Sequence, residues 1–189
     1  MPPKARITKA MVTDAAFEVA RINGMENVNA RTVSQRLGCS TQPVMYHFAR
    51  IEDMKRAAYE KADRFHTEYI MRTDPGQNVM LGIGLNYIRF AVEEPNLFRF
   101  LFQSGFALEN SVPQMIDSSE LAPVLSAMQA GMGLNRERTK TVFLTLAMFA
   151  HGYASILNNN GLEFDEEAVK AHLISTYRGA ILAAKENEE

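Results

Sequence analysis

A single cysteine, Cys39, stands among 189 residues. One thiol permits no internal disulfide, as expected for a chain working in a reducing compartment. Although 47% of the residues are hydrophobic, no run of about 18 consecutive apolar residues occurs, and a membrane span is not expected. The opening MPPKARITK is basic but is followed by no apolar stretch and no small-residue cleavage site; the expectation is a cytoplasmic protein without a secretory leader. Also missing are a GxxxxGKS/T phosphate loop, a GxSxG elbow and an HExxH pair, and the pairs Gly82/Gly84 and Gly131/Gly133 lack the strand-turn-helix setting of a nucleotide fingerprint. His47, His66, His151 and His172 show no zinc-ligand spacing. No metal, no cofactor, no catalytic thiol and no enzymatic activity are therefore expected.

The net charge of −2 is unevenly distributed. Residues 1–61 hold ten Lys or Arg against six Asp or Glu, and residues 62–189 hold ten against sixteen. A basic head on an acidic body suits an anionic partner for the head. The length can bury a substantial core, and one fold with two regions is expected rather than two independent domains.

Helical spacing recurs throughout, with no alternating strand pattern, internal repeat or low-complexity linker. The fold class expected is all-α, about nine helices. Met11, Ala15, Val19 and Ile22 make one stripe of a first helix that stops at Asn23-Gly24. A second runs from about Ala30 to Leu37, with Gly38 as its left-handed terminator. A long connector helix, about 51–73, starts with Glu52 and Asp53, turns Met54, Ala58, Phe65 and Tyr69 inward, and breaks at Asp74-Pro75-Gly76. Helices follow over about 77–92, over a stretch capped by Asn96 and carrying Phe98, Leu101, Phe102 and Phe106, and over about 121–132, 136–158 and 166–185. Residues 107–120, with Pro113, read as irregular. The acidic run Glu163 to Glu167 reads as a helix start with Asp165 as its cap.

The stretch GCSTQPVMYHF, residues 38–48, carries the sharpest signal. With Ser40 as N-cap, Pro43 falls in the first turn, where its missing N–H costs nothing. At 100° per residue Val44 and Phe48 share one side, while Gln42, Met45 and Tyr46 point away. Val33, Leu37, Cys39, Val44 and Phe48 can then seal two short helices across Gly38. This is the order of a helix-turn-helix, whose second helix enters the major groove. Gln42 suits an adenine edge, Thr41, Tyr46 and His47 reach bases or phosphates, and Arg31, Arg50, Lys55 and Arg56 suit phosphates. On spacing alone an ordinary helical hairpin with a solvated face fits equally.

Residues 7–55, ITKAMVTDAAFEVARINGMENVNARTVSQRLGCSTQPVMYHFARIEDMK, resemble the DNA-binding head of the TetR (tetracycline-repressor-like) family of bacterial transcriptional regulators. EPNLFRFLF and FAHGYASIL resemble recurring features of that family's ligand-binding bodies. Two positions depart from the pattern: Met45 stands where a tyrosine is usual, with Tyr46 next, and Ile51 stands where a lysine is frequent. The resemblance implies a helix-turn-helix domain over 1–50 and an effector-binding and dimerisation domain over 51–189. It implies DNA contacts from Arg31, Thr32, Ser40, Thr41, Gln42, Pro43, Met45, Tyr46, His47, Arg50 and Lys55. It also implies a homodimer that binds double-stranded operator DNA and an unidentified small-molecule effector, most of the family being repressors.

For the body, the final helices carry double apolar stripes, of which Val142, Leu146, Phe149, Tyr153, Leu173, Tyr177, Ala180 and Ile181 are the candidate dimer surface. Satisfaction of both stripes inside one protomer is the alternative. Tyr69, Tyr87, Phe90, Phe98, Phe102, Met128, Phe143 and Met148 could line an apolar pocket, with Arg89, Gln103 or His151 orienting a ligand; for each one alone, plain core packing is the better reading. The readings that follow are a ligand-released repressor, an effector-independent DNA-binding dimer, or a helical enzyme using the body cavity, for which no converging titratable groups are seen.

Overall fold

The computed structural model describes residues 7–72, 78–106, 116 and 121–186. Among the described residues all regular structure is helical, as nine α-helices and one 3-10 turn. The chain forms two compact units, one of Met1–Glu68 with Glu94–Ala107 and the other of Tyr69–Glu93 with Leu108–Glu189.

In the first unit, α1 (Lys9–Asn23) begins where the Thr8 hydroxyl accepts from the Met11 N–H at 3.2 Å, satisfying one of the N–H groups that a helix start leaves open. Its buried face is Val12, Ala15, Ala16, Phe17, Val19 and Ala20. Met11 and Ile22, expected inside, are exposed; the face is centred on Val12, Ala16 and Val19, so the ends of the expected stripe rotate outward. Gly24 ends the helix at a φ of 89°, which side chains rarely adopt. After the 3-10 turn Met25–Asn27 comes α2 (Ala30–Leu37). Asn29 accepts from the N–H groups of Arg31 and Thr32 at 3.0 and 3.1 Å, and the Thr32 hydroxyl accepts from the Asn29 N–H at 3.2 Å. This reciprocal box pins the start of α2.

Gly38, left-handed at a φ of 63°, ends α2. There the Cys39 N–H reaches back to the Ser34 carbonyl at 3.0 Å. The next helices are α3 (Thr41–His47) and α4 (Ile51–Ile70). Ser40 stands at the N-cap of α3, as expected, with extended backbone, but its side chain makes no capping bond. A cap serves the second or third helical N–H; Pro43 removes the third, which leaves Gln42 as the one such donor. Asp74-Pro75-Gly76 and Pro113 lie outside the described residues.

α5 (Val79–Glu93) belongs to the second unit, and the chain returns to the first with α6 (Pro95–Phe102). Pro95 opens α6 and Glu94 is the cap position, so Asn96 lies inside the helix and is not its cap. Its amide donates instead to the carbonyls of Arg21 and Ile22, at 3.0 and 3.1 Å, in the last turn of α1 where carbonyls lack intrahelical partners. The Arg21 guanidinium grips Glu94 with two hydrogen bonds, Nε donating to Oε2 at 2.8 Å, a bidentate pairing stronger than a single contact. Tyr59 on α4 donates to the Leu101 carbonyl at 3.3 Å, and buried His66 meets the Phe102 ring edge-on, centroids 5.2 Å apart. α6 is thus integral to the unit that holds α1 to α3.

The second unit contains α5, α7 (Ala122–Met132), α8 (Arg136–Asn160) and α9 (Glu166–Glu186). Asn78, Asn135 and Asp165 cap α5, α8 and α9 with bonds of 3.0, 2.9 and 3.0 Å to the N–H groups of Met80, Arg138 and Ala168. At Gly84 a side chain would begin 3.3 Å from the Leu173 methyl group, so glycine permits the close packing of α5 on α9. Met128, Leu134, Val142 and Ala184 form the buried centre of one cluster. Polar bonds pin the helices further: the buried Asn158 amide donates to the Ala91 carbonyl at 2.8 Å, and Arg89 donates to Glu166 at 2.6 Å and to Asn86 at 3.0 Å. Among the described helices, α8 is by length and composition apolar enough to cross a membrane; here it packs against α5, α7 and α9.

Candidate nucleic-acid interface

The interface is built on the α2-turn-α3 frame. Val33 and Val44 are completely buried and Phe48 nearly so, each stabilising the frame by about 1.5 to 3 kcal/mol on burial. Leu37 and Cys39, expected to share that role, are only half-buried: they flank the left-handed Gly38, whose turn carries them toward the rim. α1 supplies the remaining wall, touching both α2 and α3, and Lys9 lies over the Phe48 ring at 5.1 Å.

Because Val44 faces inward, the residues before and after it face out. Thr41, Gln42, Met45 and Tyr46 are exposed, Tyr46 by 79%. Arg31, Ser40 and Arg50 are also exposed, while Pro43, Lys55 and His47 are half-buried. Two of the expected contact residues have other partners. The Thr32 hydroxyl serves the α2 cap and donates to the Asn27 carbonyl at 2.6 Å. His47 places Nε2 2.9 Å from the Ile7 carbonyl and meets the Tyr46 ring edge-on at 5.1 Å.

The eleven expected pocket residues fall in both units. Phe98, Phe102 and Gln103 belong to the first, where Phe98 and Phe102 pack with centroids 5.1 Å apart. Exposed Gln103 edges a surface hollow of about 270 Å³ shared with Met25, Glu26, Asn96 and Arg99. In the second unit Tyr69 packs on Phe90 at 5.3 Å and donates to Glu93 at 2.6 Å. Met128 and Phe143 belong to the apolar cluster, and Met148 is exposed. Tyr87 and His151 meet directly, hydroxyl to Nδ1, at 2.9 Å. Burial pushes the Tyr87 phenol above its ordinary range and the His151 imidazole below its own. Both shifts favour neutral partners, and the pair shares one hydrogen bond between two uncharged groups. Arg89, expected to orient a ligand, is engaged by Glu166 and Asn86.

Of the candidate dimer residues, Val142 and Leu173 are buried within the protomer. Val142 sits in the apolar cluster and Leu173 against Gly84, which removes both from any surface. Leu146, Ala180 and Ile181 pack beside the cluster while remaining partly exposed. Phe149, Tyr153 and Tyr177 are half-buried, with Tyr153 6.0 Å from the His172 ring. Ile156, which shares the α8 stripe of Phe149 and Tyr153, is 56% exposed, and Leu182 on α9, which neither stripe includes, is 61% exposed.

Residues 80–177 match the family model described as "Tetracyclin repressor-like, C-terminal domain". The chain belongs to the TetR family. Its match begins in α5 and ends in α9, over the half of the molecule whose sequence is less distinctive than the head. Over the full length the chain is 20% identical to an uncharacterized HTH-type transcriptional regulator, YobS, of Bacillus subtilis (strain 168), covering 99% of each chain. Its fold is that of a transcriptional regulator from Rhodococcus sp. Rha1, at a TM-score of 0.62, 17% identity, 94% coverage of this chain and 97% of the other. A TetR-family member from Streptomyces coelicolor A3 is similar at a TM-score of 0.58 and 17% identity, covering 89% of this chain and 96% of that one. The protein is a TetR-family transcriptional regulator.

Several groups in this TetR chain escape a reading by periodicity. Arg21, Glu94 and Asn96 meet across more than 70 positions, and no local pattern links them. The one local signal is Glu94-Pro95, since proline at the first helical position moves the cap back to Glu94 and leaves Asn96 available to another helix. Buried His66 has a clearer signature: with Ala58, Ala62 and Met54 it lies on the apolar stripe of α4.

Proposed function

We propose that this regulator is a homodimeric repressor that leaves its operator when a small apolar effector binds the helical body. One observation supports DNA reading above the others: Gln42, Met45 and Tyr46 project from a short helix whose opposite side, Val44, is fully buried. Exposed Arg31 and Arg50, with half-buried Lys55, suit phosphates on either side of the groove. The head to about residue 50 does the reading, and the helices beyond it hold effector and partner in the cytoplasm.

Dimerisation rests on apolar side chains that one protomer leaves in water, Met148 and Ile156 on α8 and Leu182 on α9, together with Phe149, Tyr153, Tyr177, Ala180 and Ile181. A second copy covering them pairs two heads, which then read half-sites about one helical turn, roughly 34 Å, apart. Effector sensing rests on the Tyr87–His151 pair, a neutral polar couple that can orient a largely apolar molecule. An effector that prefers one head spacing by about 1 to 3 kcal/mol changes operator affinity roughly 5- to 150-fold.

The test is selection of bound fragments from the source genome, followed by thermal shift with compounds related to the neighbouring genes. Recovery of near-palindromic sites is expected, together with a ligand that stabilises the protein by about 2.7 kcal/mol at 100 times its dissociation constant. Sites without any stabilising and releasing compound would leave an effector-independent DNA-binding dimer. Turnover of such a compound would point to a helical enzyme.

A further inference from the structure

α3 reads TQPVMYH, with no Arg, Lys, Asp or Glu. Its exposed side chains are Thr41, Gln42, Met45 and Tyr46, and His47 is held to the Ile7 carbonyl through Nε2. Gln42, Met45 and Tyr46 stand at i, i+3 and i+4 and therefore share one face. Guanine is recognised most often by two hydrogen bonds donated from Arg or Lys to O6 and N7, and no such donor stands on this face. Gln instead matches the adenine N6/N7 edge, and an apolar group matches the thymine C5 methyl. Met45, 38% exposed, is a flexible thioether with no hydrogen-bond donor, suited to an irregular apolar contact.

Resting on the DNA-reading proposal above, we infer that the base pairs lying under α3 are A·T pairs. Gln42 takes an adenine through both amide groups, and Met45 packs on a thymine methyl three positions further along the same face. Any guanine recognition in the operator falls outside this helix; exposed Arg31 at the start of α2 and Arg50 beyond the end of α3, which suit phosphates, are the neighbouring cations that could reach a guanine edge instead.

The experiment is enrichment of duplexes from a random pool by the full chain, repeated with Gln42→Ala, Met45→Ala and the double variant Arg31→Ala/Arg50→Ala. Titrations then use duplexes in which single thymines are replaced by uracil. The enriched half-site should hold a block of A·T pairs whose preference survives in Arg31→Ala/Arg50→Ala. One adenine should lose its preference, roughly 5- to 150-fold, in Gln42→Ala. One thymine-to-uracil change should weaken binding by about fourfold, the loss of one methyl contact, and should cost nothing in Met45→Ala. A guanine whose preference disappears with Gln42→Ala or Met45→Ala, while persisting in Arg31→Ala/Arg50→Ala, overturns the inference and leaves DNA reading intact. Enrichment of no duplex overturns both. Gln42 and Met45 lie outside the core, and unchanged nonspecific affinity in Gln42→Ala and Met45→Ala shows that their fold is kept; Arg31→Ala/Arg50→Ala, which loses phosphate affinity, is enriched at lower salt and its fold is checked by an unchanged thermal midpoint.

Discussion

His66 should make this protein measurably less stable in mild acid. The imidazole is buried on α4 beside Phe102, and burial pushes its pKa from the ordinary 6.5 down to about 4. The folded state therefore refuses a proton that the unfolded chain accepts. With a folded pKa below the unfolded one, stability is full above pH 6.5 and falls as pH drops toward 4. Between pH 7 and pH 5 the linkage amounts to about 2 kcal/mol, and it changes little if the folded value moves by one unit. Urea titrations at half-unit steps from pH 7 to pH 5, above the range where most carboxylates titrate, measure it directly. His66→Phe keeps a ring against Phe102 and removes the proton, so its stability should be flatter over the same window by about 2 kcal/mol, whatever its absolute value. Parallel curves for the two proteins would refute the argument. His151, also lowered by burial, contributes in the same direction and is unaffected by the substitution.

Other consequences follow from the same contacts. Asn96→Ala removes two hydrogen bonds to the end of α1 and should cost about 1 to 3 kcal/mol, read as a lower denaturation midpoint with unchanged slope. Gly24→Ala should destabilise by about 1 to 3 kcal/mol, since its φ of 89° with a ψ of 155° lies outside the regions side chains favour. Gly38→Ala should cost less, about 1 to 2 kcal/mol, because its left-handed φ of 63° is tolerable and nothing lies within 4 Å of the added carbon; the reverse order in thermal unfolding would contradict the backbone argument. Lys55→Ala should lower the salt dependence of DNA binding by about one unit of slope, and an unchanged slope would exclude a phosphate contact there.

The head was largely legible in the sequence because its determinants are local. Asn23-Gly24, Gly38 and the buried Val33, Val44 and Phe48 are separated by a few turns of helix, and their spacing alone orients Gln42 and Tyr46 outward. The misreadings have equally local causes. Ser40 has the residue type of a cap and holds the cap position, but its side chain makes no capping bond, and Pro43 removes one of the two N–H groups it could have served. The expected α1 stripe holds at its middle, Ala15 and Val19, and fails at its ends, where Met11 and Ile22 turn into solvent. The body was less legible because its helices are apolar on more than one side. Periodicity identifies such faces without telling which neighbour covers each: Val142 and Leu173 have the same spacing signature as Phe149 and Tyr153, yet the first two are buried in the protomer and the others only half-buried. The grip of Arg21 on Glu94, which ties α6 to α1, depends on a meeting of distant segments that no local window contains.

The most direct measurement is a paired equilibrium titration of wild-type protein and Gln42→Ala on one selected operator and one unrelated duplex. The variant should lose about 1 to 3 kcal/mol on the operator and almost nothing on the unrelated duplex. Equal losses on both, or none on either, would contradict the assignment of α3 as the helix that reads the bases.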